Sequence, residues 1–284
     1  MNVRKAVITA AGRNQRGLPL QTLVDRDGVE KKALEIILEE AVAAGAEEVC
    51  IVVAPGDEPA YREAAGSHGP RLQFVIQPEP KGYAHAVLQA REFVAGQPFL
   101  HLVGDHLYLS RADARAAKQV VDVAKAERCA VSAVQVTRES MLPYYGAVGG
   151  RRVPQRSDLY DVTAVLEKPT PSEAEQTLAV SGVRAGFYLC FFGIHVLTPA
   201  VMDHLAAALE KTPTGLPLSA VLANLAKGER YLALEVQGTR YNIGVKYGLL
   251  SAQLALGLSG VDRDKILTQM VDLLVVGERE RGKR

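Results

Sequence analysis

An α/β fold built on an open, mostly parallel sheet is what this sequence predicts, and three observations predict it. Apolar runs of strand length alternate with segments of helical period through the first half of the chain. The first run, "RKAVITA", lacks the in–out alternation of a half-wet strand, so it suits a central strand covered on both faces. Three of the runs end in the residue types that carry chemistry at the carboxyl end of a sheet: Ala10-Ala11-Gly12, Gln77 and Gly104-Asp105-His106. The expected architecture is Rossmann-like: a mixed, mostly parallel sheet, right-handed crossovers and flanking helices.

The elements follow in order. After "RKAVITA", Glu30 to Ala44 carries Leu34, Ile37, Leu38, Ala41 and Val42 at helical spacing, and Gly45 supplies the stop. "EEVCIVV" is the next strand, "EPAYREAA" a helix, "RLQFVI" a strand and "YAHAVLQAREFV" a helix. "PFLHLVGDHLYL" reads as a strand running into a loop. In the second half "CAVSAVQV" is a strand, and "YGAVGGRRV" and "LYDVTAVLEKP" form a ribbon across "PQRSD". "GFYLCFFGIHVL" is a buried strand, followed by helices in "PAVMDHLAAALEK" and "PLSAVLANLAKG". "RYLALEVQG" is a late strand and "VKYGLLSAQLALG" a helix. Residues 1–258 read as one domain, and 259–284 as a C-terminal helix with the charged tail "GERERGKR".

Composition narrows the function. The 284 residues are 48% hydrophobic with a net charge of +1, which favours neither nucleic acid nor an anionic membrane as partner. No stretch approaches the roughly 18 to 20 apolar residues of a membrane helix, and no signal-peptide pattern opens the chain. Cys50, Cys129 and Cys190 lie far apart in apolar runs, without metal or redox spacing, and read as buried thiols of a cytoplasmic protein.

The loop after the first strand is suited to lay backbone N–H groups against phosphates with Arg16 as a bidentate partner, or to be a plain turn with a solvated arginine. Asp105 reads equally as a Mg²⁺ carboxylate or a helix cap. Glu167 and Lys168 precede a proline at a strand end, where a surface ion pair is the ordinary explanation. His106 reads as a metal ligand or base, or, as is ordinary for a histidine beside a strand end, only a hydrogen-bonding neighbour.

The order of the pieces says more than any one of them. "AAG…R…P", "Q…KGYAHAV", "LVGD", "YGAV", "VLEKP", a glycine-aromatic strand and "YNIG…YGLL" succeed one another between about Lys5 and Leu256. That order resembles the sugar-nucleotide pyrophosphorylases, nearest to the bacterial UTP–glucose-1-phosphate uridylyltransferases. The resemblance implies the nucleotide-diphospho-sugar transferase type of fold (GT-A-like), a nucleoside triphosphate and a sugar 1-phosphate as substrates, Mg²⁺, and a homo-oligomer. It places Ala10, Ala11 and Gly12 along the nucleotide and Arg16 toward the departing pyrophosphate. Gln77 and Gly82 would read a pyrimidine edge, and Asp105 would hold the metal. Gly146, Glu167 and Gly186 would meet the sugar, and Lys168 its phosphate.

The family pattern is also broken in four places. Its G-x-G-T-R loop is here Gly12-Arg13-Asn14-Gln15-Arg16, with Asn14 the residue best able to adopt a left-handed backbone. Its proline-lysine-x-methionine segment is absent after Pro19, leaving Lys31 or Lys32 as candidate replacements. Its second metal carboxylate is matched by Asn242, which ligates without charge. Its Glu-x-Gln-Leu-Thr-Asp helix start is replaced by "GLPLSAVL". Three readings follow: a divergent nucleotidyltransferase; a catalytically impaired relative that binds a nucleotide or sugar nucleotide as a regulatory or partner subunit; or a glycosyl transferase of related α/β fold, which would want an Asp-x-Asp where Asp105-His106-Leu107 stands.

Overall fold

The computed structural model describes residues 1–66 and 71–281. The chain runs β1 (Lys5–Thr9), β2 (Thr22–Val24), β3 (Glu30–Lys32), α1 (Ala33–Ala43), β4 (Glu48–Val53), α2 (Glu58–Ala64), β5 (Leu72–Ile76), α3 (Tyr83–Gln89), α4 (Arg91–Val94) and β6 (Phe99–Val103). It continues through β7 (His106–Ser110), α5 (Ala116–Glu127), β8 (Ala130–Arg138), a 3-10 turn (Glu139–Tyr144), β9 (Gly146–Arg152), β10 (Leu159–Glu167), α6 (Pro171–Thr177) and β11 (Phe187–Leu197). It closes with α7 (Ala200–Lys211), α8 (Leu218–Gly228), β12 (Tyr231–Glu235), β13 (Gly238–Asn242), α9 (Gly248–Ser259) and α10 (Arg263–Arg281).

Nine strands form the main sheet in the order β5-β4-β1-β6-β11-β8-β12-β10-β9. The β5–β4, β4–β1, β1–β6 and β8–β12 pairs are parallel. The β6–β11, β11–β8, β12–β10 and β10–β9 pairs are antiparallel. A mixed α/β fold is therefore present, but the expectation of a mostly parallel sheet holds for the first half alone. The physical reason lies in the connections. Parallel neighbours need a crossover of a dozen residues or more, whereas β9 and β10 are joined by a short turn and must run antiparallel. β9 also pairs back onto β11, which closes β11, β8, β12, β10 and β9 into a ring.

Three local expectations shift. The helix expected from Glu30 begins at Ala33, because the Lys32 N–H donates to the Glu35 carboxylate at 2.8 Å and caps the helix there. The preceding residues instead pair with β2 in a hairpin. "GDHLYL" is a strand in its own right, β7, paired with β13 outside the main sheet. "YAHAVLQAREFV" is divided at Ala90 into α3 and α4. The last three residues of the charged tail lie outside the described residues.

One face of the sheet buries Leu34 and Ile37 of α1, Tyr61 of α2, Val120 of α5 and Leu256 of α9. The other buries Val87 of α3, Phe93 of α4, Leu205 of α7 and Leu222 of α8. Each large apolar side chain so removed from water contributes about 1.5–3 kcal/mol. All three cysteines are buried and free, and burial pushes the Cys129 thiol up to about 11. α10 leans on α9, with Ile266 over Gly257, and leaves Val271, Leu273 and Leu274 exposed. Among the described residues no helix is long and apolar enough to cross a membrane.

Candidate active site

The carboxyl ends of β1, β5 and β6 open onto one cleft of about 580 Å³, walled on the far side by β9, β10, β11 and α8. Ala10, Ala11, Gly12, Gln77, Gly82, Asp105, Gly146, Glu167, Lys168 and Asn242 all line it.

At the β1 loop, Ala10 and Ala11 are buried, and the Gly12 carbonyl accepts from the N–H groups of Gln15 and Arg16 at 3.0 and 2.9 Å. This tight turn puts Arg13 on the cleft and takes Arg16 out of the lining. The Arg16 guanidinium lies 3.6 Å from Asp57, and its carbonyl accepts from the buried Tyr61 hydroxyl at 2.7 Å. Asn14 does not use a left-handed backbone. Arg16 thus lies outside the cleft lining, which Arg13, three residues earlier on the same turn, joins.

Lys31, a candidate replacement for the absent lysine, also lies outside the cleft lining. Its ammonium sits 2.7 Å from Asp25, 2.9 Å from Asp27 and 2.8 Å from Glu39, away from the cleft. Burial alone would lower its pKa, but the three carboxylates hold it above the usual lysine range. Lys32 donates to Thr22 at 2.9 Å.

Gln77, buried at the end of β5, has its amide nitrogen 3.1 Å from the Gly82 carbonyl and 2.9 Å from His85 Nδ1. With both N–H donors committed, the group it retains for a ligand is its carbonyl oxygen. Gly82 adopts φ +111°, and a Cβ there would stand 3.3 Å from the backbone of Gly215. Only glycine serves this turn without strain.

Asp105 follows β6 and accepts from, or shares a proton with, His106 Nδ1 at 2.7 Å. Burial would raise the Asp105 carboxyl, but the adjacent His106 and a backbone hydrogen bond hold it below the ordinary range. Asn242 lies directly opposite His106 in the β7–β13 pair, and the Ile243 N–H donates to the Asp105 carbonyl at 2.9 Å. Its side-chain oxygen accepts from the Gly244 N–H at 2.8 Å. Among the described residues no cluster of three or more His, Cys, Asp and Glu side chains could enclose a metal. One carboxylate and one amide oxygen are hard donors of the kind a divalent ion takes when substrate phosphates complete its shell.

On the opposite wall, Glu167 ends β10 and accepts from Ser219 of α8 at 2.8 Å. A Cβ on Gly146 would stand 3.0 Å from Glu167 and 2.9 Å from Phe191, so the space above the Glu167 carboxylate depends on that glycine. Lys168 holds a left-handed backbone, φ +45°, which a non-glycine residue adopts at a cost of about 1–2 kcal/mol. Its N–H donates to the Tyr145 carbonyl at 3.2 Å. Gly186 is not in the cleft. It lines a separate depression with Arg138, Ser140, Arg184 and Phe187. The glycine of β11 that reaches the cleft is Gly193, φ +89°, where a Cβ would stand 2.7 Å from Val103.

Behind the cleft floor lies a buried polar chain. Thr9 and Tyr83 both reach His101, at 3.3 and 3.4 Å, and His195 Nδ1 meets Ser132 at 2.6 Å, which in turn meets Tyr231. Burial holds His195 down to about 3 and His101 well below the ordinary histidine range. Burial first, then Asp105 and Glu167, raise the Tyr83 phenol. Arg240 stacks 3.9 Å from the centre of the Tyr145 ring, with Nε and Nη1 buried and unpartnered.

The family model described as Nucleotidyl transferase matches residues 5–253. The chain belongs to that family. Among curated relatives of this nucleotidyl transferase, UTP–glucose-1-phosphate uridylyltransferase 1 of Streptococcus pyogenes serotype M3 is 28% identical over 286 residues, covering 90% of this chain and 89% of its own. The UTP–glucose-1-phosphate uridylyltransferase of Streptococcus pneumoniae serotype 4 is 28% identical, with 90% and 91% covered. Among solved structures, a UDP-glucose pyrophosphorylase from Acinetobacter baumannii superposes with a TM-score of 0.74 at 23% identity, covering 96% of this chain and 100% of that one. A UDP-glucose pyrophosphorylase complexed with UDP-glucose gives 0.72 at 21% identity, with 89% and 98% covered. These superpositions establish the shared fold.

Proposed function

We propose that this nucleotidyl transferase moves a uridylyl group from UTP to glucose 1-phosphate and releases pyrophosphate. The observation that carries the reading is a single cleft lined by Gln77, Asp105, Glu167 and Lys168. The names of the streptococcal relatives and a UTP-bound solved structure support the choice of base and sugar.

In this reading an oxygen of the sugar phosphate attacks the α-phosphorus. One O–P bond forms, the bond to the bridging oxygen of the β-phosphate breaks, and pyrophosphate leaves with the electron pair. Such a step asks for alignment and charge neutralisation more than proton transfer. Ala10, Ala11 and Gly12 run along the nucleotide, and the Gln77 carbonyl accepts the N3–H of uracil. Arg13 meets the departing pyrophosphate, and Lys168 steadies the sugar phosphate. Glu167 accepts a sugar hydroxyl over Gly146. Asp105 and Asn242 would hold Mg²⁺, whose chemistry when bound is to neutralise charge between the two phosphates.

Pyrophosphate release from UTP and glucose 1-phosphate with Mg²⁺ tests the reading, with Asp105→Ala as background. The variant is expected to lose on the order of 10²–10³ in rate. No turnover above that background would overturn the assignment.

A second reading, binding without turnover, is favoured by one observation. Arg13 and Lys168 are the only Lys or Arg side chains among the described residues of the lining. If it holds, UDP-glucose binds well while UTP with Mg²⁺ binds poorly.

We further assign residues 1–258 to one catalytic domain, with 259–284 appended. The exposed apolar side chains of α10 support contact with a second copy, measurable by light scattering. A cytoplasmic location fits the substrates.

A further inference from the structure

What Gln77 offers the cleft depends on how its amide is turned. The residue is buried at the end of β5 and lines the cleft. Turned one way, it presents a carbonyl oxygen to a base; turned the other way, it presents N–H.

Two groups of the protein fix that turn. The Gly82 carbonyl, 3.1 Å from the amide nitrogen, can only accept, so the nitrogen belongs on that side. The second N–H then meets His85 Nδ1 at 2.9 Å, and that ring nitrogen must be bare in order to accept. A neutral imidazole bare at Nδ1 carries its proton on Nε2. The Gln89 side-chain amide stands 3.2 Å from Nε2, and a half-turn of that amide brings its oxygen to the proton. Burial first, then Lys81, lower the His85 pKa, and Glu79, paired with Lys81 at 2.9 Å, opposes them; the balance favours the neutral ring. His85 is itself outside the cleft lining, so it reaches a ligand through Gln77.

We propose that His85 is a positioning residue for base selection: as the Nε2–H tautomer it holds the Gln77 amide with its oxygen toward the nucleotide. That orientation favours uracil, whose N3–H donates, over cytosine, whose N3 accepts. The inference rests on the uridylyl-transfer reading and deepens it. With the ring acceptor gone, Gly82 is left to oppose a half-turn of the amide, and the turned amide offers the N–H that suits cytosine. One neutral hydrogen bond separates the two orientations, which is worth about tenfold in a ratio of affinities.

The test measures kcat/KM for UTP and for CTP, with glucose 1-phosphate and Mg²⁺. In His85→Leu the UTP-to-CTP ratio is expected to fall about tenfold. His85→Asn, whose side-chain oxygen can stand where Nδ1 stood, is expected to keep the ratio within about twofold of the starting protein. A ratio unmoved in His85→Leu overturns the proposal even where both rates drop, since a general disturbance of α3 weakens both nucleotides alike. A fall as large in His85→Asn as in His85→Leu overturns it too.

No turnover with either nucleotide is instead the failure of the transferase reading, and the ratio is then taken from calorimetric binding of UMP and CMP. The ring is read independently of both. Imidazole nitrogen NMR spectra of the full chain, with the His85 signals identified by their loss in His85→Asn, are expected to show Nε2 protonated and Nδ1 bare. A ring protonated at Nδ1 sinks the proposal.

Discussion

The two walls of the cleft spend their polar groups in opposite directions. On the wall made by β1, β5 and β6, Gln77 locks its amide nitrogen and keeps a carbonyl for the ligand, while Asp105 stays ionised beside His106. On the wall made by β11 and α8, His195 Nδ1 and the Ser219 hydroxyl are paired with the protein. The first wall leaves a carbonyl and a carboxylate open to the cleft, whereas the second turns an imidazole nitrogen and a hydroxyl onto the protein. A cleft can therefore be well supplied with polar residues and still offer few contacts at one end.

The contrast is broken most directly at Gln77. Gln77→Leu removes an acceptor matched to the N3–H of uracil, and kcat/KM for UTP is expected to fall roughly ten- to hundredfold. Discrimination against CTP, whose N3 is an acceptor, should shrink with it. Unchanged base selectivity, measured with both nucleotides, would mean that this wall does not read the base.

On the other wall the expected effect is on stability. Ser132→Ala orphans both His195 and Tyr231, and should cost about 2 kcal/mol in urea unfolding with kcat changed less than twofold.

A third effect is in the pH profile. His195 and His101 are held neutral by burial, so the unfolded chain binds their protons first as pH falls below the ordinary histidine range. Stability is therefore lost from about pH 6.5 downward, by at most about 1.4 kcal/mol per pH unit for each ring. His195→Gln should halve that slope; an unaltered slope would assign the loss to other groups.

These walls differ as much in how far the sequence discloses them. Gln77, Asp105, Glu167 and Lys168 stand at strand ends, where a hydrophobic run stops at glycine, proline or charge, and such breaks are visible in one dimension. Gly193 lies inside an unbroken apolar strand, so nothing local distinguishes it from Gly186 at the strand's start. Ser219 and His195 acquire partners 52 and 63 residues away, pairings that no spacing encodes. Arg13 and Arg16 are separated by one turn whose backbone hydrogen bonds decide which side chain enters. The mixed sheet was legible as strands, but its direction changes follow from connections that composition does not mark.

The break in β11 has a mechanical consequence. Its pairing with β8 lapses between Phe191 and His195, and the carbonyl of Gly193 within the gap accepts from Tyr108 instead. The strand is thus two short rods joined at a glycine. The first rod is held by β8 and β9, the second by β6 and β8. A Cβ at that joint would stand 2.7 Å from Val103 and 3.0 Å from the Tyr108 hydroxyl, so the kink is held in place by packing as well as by its hydrogen bond, and a larger residue there would force the two rods apart.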